Sequence, residues 1–103
     1  MKVMHLALAA SLVSATAMAY AENVSPVVVR SLAATCANCH GTKGKAIAGS
    51  GMEALAGEPK EKLLQKLKDF RSGAKPATIM HQISKGYSEE QLALVAEYFS
   101  AQK

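Results

Sequence analysis

The chain has 103 residues, half of them apolar, with two cysteines and no tryptophan, which suits one small domain and leaves no room for two. Its formal charge of +4 is spread among interspersed acids with no aromatic residues threaded between the basic ones; this argues against nucleic acid as a partner and leaves an acidic protein surface open. The first segment stands apart. Lys2, an apolar run from Leu6 to Val13, and small residues at Ala15, Ala17, Ala19 and Ala21 have the layout of a secretory signal peptide. The apolar stretch ends near Tyr20, short of the roughly 20 residues that a spanning helix needs. We therefore expect a cleaved leader at residues 1–21, cut after Ala21 with Ala19 as the other site, a mature domain at 22–103, a periplasmic location and no membrane span. A domain of that size gains marginal stability from its core alone, so a bound cofactor is expected to supply the rest.

In the mature chain, Ser25-Pro26 reads as a helix cap followed by proline at the first helical position, where its fixed φ fits and its missing N–H is not needed. The first helix then runs through Val28 and Leu32 to the cysteines. From Gly41 to Gly57 there are five glycines and no sustained helical period, which predicts a loop. A second helix is expected to open at Glu58-Pro59, to carry Leu63, Leu64, Leu67 and Phe70 inward, and to stop at Gly73, with Lys68 and Arg71 in its last turn. Ala74 to Gly86 is expected to be a second loop. The third helix has the clearest start: Ser88-Glu89-Glu90-Gln91 is a capping box, and Tyr87 is placed to staple onto Leu92. Leu92, Val95, Ala96 and Phe99 mark its buried face. No strand of convincing length competes, so the predicted class is all-α.

Cys36-Ala37-Asn38-Cys39-His40 is the Cys-x-x-Cys-His signature of covalent haem attachment. Two thiols one helical turn apart suit addition to the two vinyl groups on one porphyrin edge, and the adjacent imidazole then faces the iron. Three other readings of the motif fit less well. A thioredoxin-like redox pair needs a βαβ context that the pattern lacks. A zinc site needs further ligands, and the mature chain offers only His81. A plain disulfide leaves His40 and the glycine-rich loop unexplained. Haem c is therefore the expected cofactor, with Cys36 and Cys39 as its attachment points and His40 as the proximal iron ligand.

For the other axial position the mature chain offers Met52, Met80 and His81. By composition alone a methionine is more often core filler. Met80, however, lies between the second and third helices, where a turn of chain can swing over the face opposite His40, whereas Met52 lies nearer the proximal side. Met80 is the expected distal ligand, with His81 or an open position as alternatives. A thioether stabilises ferrous iron and raises the potential, and a filled site points to electron transfer rather than oxygen or peroxide chemistry.

These residues resemble the class I cytochromes c, in particular a small bacterial group: Leu32 to Thr42 around the attachment motif, then Leu55-Ala56-Gly57, then a methionine ahead of Tyr87-Ser88-Glu89-Glu90. The likeness spans essentially the whole mature chain. The run from Phe70-Arg71-Ser72-Gly73 through Pro76-Ala77-Thr78-Ile79-Met80 to Ser84-Lys85-Gly86-Tyr87-Ser88 looks most like the haem-subunit family of flavocytochrome c sulfide dehydrogenases. The resemblance implies about three main helices around one haem, crossed terminal helices with Leu32 near Leu94 and Tyr98, His40 and Met80 as axial ligands, and an FAD-containing sulfide dehydrogenase subunit as redox partner. A free shuttle between membrane redox complexes is the alternative; a five-coordinate haem enzyme or gas sensor comes third. Lys43 and Lys45 are candidates for the exposed haem edge, and Lys60, Lys62, Lys66 and Lys68 for the solvated face of the second helix. One departure stands out: the family's usual proline before Leu-Ala-Gly is replaced by Met52-Glu53-Ala54. The carbonyl that orients the proximal histidine is therefore not identifiable from the sequence, and Glu53 would be an unusual charge if it faced inward.

Overall fold

The computed structural model describes residues 24–103; the expected leader and its cleavage site lie outside them. Four α-helices and one short 3-10 turn make up the described chain, in the order α1 Pro26–His40, the 3-10 turn Thr42–Gly44, α2 Lys60–Ser72, α3 Met80–Lys85 and α4 Glu89–Ser100. Among the described residues there is no strand, and no helix is long and apolar enough to cross a membrane. The all-α expectation is met.

The start of α1 follows its sequence signals: the Ser25 side chain accepts from the Val27 N–H at 3.3 Å, and Pro26 takes the first helical position. The helix stops abruptly at His40 because Gly41 adopts φ +87°, and a Cβ there would lie 2.1 Å from the Lys45 carbonyl oxygen. Only glycine lets the chain turn away directly after the histidine.

At α2 the expected start shifts by one residue. Pro59 is itself the cap, with extended φ/ψ and no side-chain capping bond, while the Glu58 carboxylate instead accepts from Lys62 Nζ at 2.9 Å. The end agrees with expectation: Gly73 is left-handed at φ +83°.

The expected loop from Ala74 to Gly86 is half helix. α3 packs against α2, and Ile79 caps it without a side-chain bond. Six residues are too few to sustain a helix by propensity, so this turn and a half exists through its tertiary contacts, which is why no local signal announced it.

The capping box of α4 is complete: Gln91 N–H donates to Ser88 Oγ at 3.1 Å and Ser88 N–H donates to Gln91 Oε1 at 2.9 Å. Replacing Ser88 with alanine is expected to lower stability by about 1 kcal/mol, read as a lower urea midpoint with an unchanged slope. The predicted face of α4 is the buried one, since Leu92, Val95, Ala96 and Phe99 are all 3% exposed or less. Val95, Ala96 and Phe99 meet Ala33 and Cys36 of α1 and Leu63 of α2, with Leu32, Leu55, Leu64 and Tyr98 packed around them. α1 and α4 pack together, as the resemblance implies. The Tyr87 hydroxyl reaches 55 residues back in sequence to donate to the Leu32 carbonyl at 3.0 Å.

Candidate haem site

One side of this core opens into a cleft walled by three helices and closed by the first loop and the start of α3. α1 contributes Cys36 and His40 to its wall, α2 contributes Leu63, Lys66, Leu67 and Phe70, and α4 contributes Val95, Ala96 and Phe99. Leu55 and Glu53 close it from the first loop, and Met80 from the start of α3. Apart from Glu53 and Lys66 the wall is apolar around its sulfur and imidazole groups.

His40 is 9% exposed and its Nδ1–H donates to the Glu53 carbonyl at 2.6 Å. That bond fixes the tautomer and leaves the Nε2 lone pair available, the arrangement that a metal-binding histidine requires. The carbonyl left unassigned by the sequence is therefore that of Glu53. Its side chain does not point a lone charge inward: the carboxylate is half exposed and paired with Lys66, whose hydrogen bond and charge hold the Glu53 carboxyl below its ordinary range against a smaller opposing effect of burial.

Cys36 is buried and Cys39 exposed, and the two are not joined to each other. Burial pushes the Cys36 thiol up, against a smaller lowering by a backbone hydrogen bond. Among the described residues no three His, Cys, Asp or Glu side chains gather into a metal-ion cluster, so the zinc reading finds no ligand set. Of the three distal candidates, Met80 borders the cleft, whereas Met52 is 39% exposed and outside it. His81 is also outside it. It is half-buried rather than on the surface as its loop position suggests, with Nδ1 lacking a partner.

The donor set on this cleft fits haem c: a thiol, an imidazole presented by its second nitrogen, a thioether arriving from another element, and an apolar wall between them. The family model described as Cytochrome c matches residues 29–103. This chain belongs to the cytochrome c family. Its cofactor is haem c, which when bound supplies an iron centre able to take up and return one electron.

Similar curated proteins include the cytochrome subunit of sulfide dehydrogenase from Chlorobaculum tepidum, 38% identical over 68 residues, which is 66% of this chain and 60% of that protein. The thiosulfate dehydrogenase electron acceptor of Thiomonas intermedia is 35% identical over 69% of this chain and 33% of its own length. Cytochrome c-553 of Helicobacter pylori is 33% identical over 84% of this chain and 90% of its own. The chain thus spans 60% and 33% of the length of the first two relatives and nearly all of the third.

Sequence reasoning missed Lys66, assigned to the solvated face of α2. Its side chain is 25% exposed and borders the cleft of this cytochrome c. The signal was present, since Leu63, Lys66, Leu67 and Phe70 fall on one stripe at helical spacing. Lys60 and Lys62 do face solvent, paired with Glu97 and Glu58. Lys43 and Lys45 are exposed and outside the cleft wall.

Proposed function

We propose that this cytochrome c carries single electrons in the periplasm, through one haem attached at Cys36 and Cys39 and ligated axially by His40 and Met80. The observation that carries the reading is that His40, already engaged at Nδ1, and Met80 border the same apolar cleft although 40 residues separate them. The apolar wall would limit water at the iron and, with a thioether donor, would favour the ferrous state. With His40 and Met80 both holding the iron, no exchangeable position would be left for oxygen or peroxide.

For the electron donor we infer the FAD-containing subunit of a sulfide dehydrogenase. The named roles of the Chlorobaculum and Thiomonas relatives, both in oxidising inorganic sulfur compounds, support it. In that arrangement the flavoprotein performs the chemistry on sulfide and this chain makes no substrate contact. A second reading, a free soluble shuttle, draws on the end-to-end match to cytochrome c-553.

Oxidised and reduced absorption spectra of the protein purified gently from its native host separate the two. Haem bands with equimolar flavin in one size-exclusion peak are expected for the subunit. Haem bands alone at monomer size would establish the shuttle instead.

A further inference from the structure

The segment 46–54 reaches the cleft at Glu53, with little holding it there. Residues 47–54 are exposed, and the bonds from Ser50 N–H to the Ile47 carbonyl and from Met52 N–H to Ser50 Oγ stay within the segment. Among the described residues, both hydrogen bonds that leave it are made by Glu53. Its backbone carbonyl accepts from His40 Nδ1 on α1, and its carboxylate accepts from Lys66 Nζ on α2.

One residue therefore ties an otherwise loose segment to two helices, through its main chain and through its side chain. A carbonyl on an exposed loop samples a range of positions unless a second attachment narrows it, and here that attachment is at the same residue. We propose that Lys66 is a positioning residue for His40: by holding the Glu53 carboxylate it aims the Glu53 carbonyl at Nδ1–H and so sets how strongly the imidazole donates from Nε2. The redox consequence rests on His40 being the iron ligand; the positional claim rests on the geometry alone. A tighter Nδ1–H···O bond makes the imidazole a stronger donor and favours ferric iron, so loosening it should raise the potential.

The test uses the ferrous holoprotein and the NMR signal of the His40 Nδ1 proton. With the pair partly open to solvent, its removal in Lys66→Met is expected to speed solvent exchange of that proton about two- to fivefold, from the coupling typical of exposed ion pairs, and to move its signal upfield. Lys66→Arg and the swapped pair Glu53→Lys with Lys66→Glu should keep exchange near the wild-type rate. The double variant Glu53→Gln with Lys66→Met leaves net charge unchanged, so a rise in its reduction potential reports the lost tether rather than a lost charge. Unchanged amide exchange in α2 and α4 marks an intact fold.

Wild-type exchange and shift in Lys66→Met would overturn the proposal, as would a swapped pair that folds but fails to restore protection. A wild-type ferrous spectrum without low-spin, histidine-ligated bands would instead sink the ligation reading, leaving the exchange comparison to stand by itself.

Discussion

Met80→Ala is expected to change the ferric protein from a low-spin to a high-spin spectrum and to lower its reduction potential. The thioether is a weak donor to ferric iron and a good one to ferrous, so its removal withdraws stabilisation mainly from the reduced state. The position of Met80 makes this a specific test. It lies at the first residue of α3 and borders the cleft, whereas Met52 and His81 lie outside it. Met52→Ala and His81→Ala should leave the spectrum as it is. Ferric absorption and equilibrium redox titration of the three variants decide the matter. A Met80→Ala protein that remained low-spin at wild-type potential would remove the distal assignment and return His81 or an open position to consideration.

Gly44→Ala is expected to lower the stability of the domain by about 2–5 kcal/mol, adding left-handed backbone strain to overpacking. Gly44 is buried in the 3-10 turn just after the haem motif, at φ +75°. Its carbonyl accepts from the N–H groups of Leu55, at 2.8 Å, and Ala56, at 3.1 Å. A Cβ there would lie 2.7 Å from the Phe99 ring and 2.9 Å from both the Ala56 nitrogen and the Leu55 Cβ. None of these neighbours can yield cheaply: Phe99 is 1% exposed in the core, and two of the contacts are on the strand of loop that Gly44 itself anchors. In a domain of this size such a loss corresponds to a melting point lower by roughly 10–30 °C. Gly49→Ala is the control, since Gly49 has a similar φ of +79° and nothing within 4 Å of a Cβ. It should show the backbone strain without the overpacking. Equal thermal shifts for the two variants would mean that the close approach to Phe99 does not matter.

Both substitutions concern positions whose importance is set by distant parts of the chain, and this divides what was readable in advance from what was not. Ser25-Pro26, Gly73 and the Ser88–Gln91 box act within one helical turn, so their bonds form whatever the rest of the molecule does. The apolar face of α4 was equally plain, because helical spacing places Leu92, Val95, Ala96 and Phe99 together before any partner is chosen. α3 had no such signal, and Glu58 lost its expected capping role to Lys62, both being outcomes of competition among neighbours.

By itself, the sequence determined the helical class and the Cys-x-x-Cys-His signature, since Cys36, Cys39 and His40 fall within five consecutive residues that one helix presents. The tertiary structure alone decided that the Glu53 carbonyl holds His40 and that Lys66 turns inward to hold Glu53. Each of those contacts joins residues 13 positions apart across a loop whose closure carries little local preference. Their geometry follows only once α1, α2 and α4 have packed around a shared core.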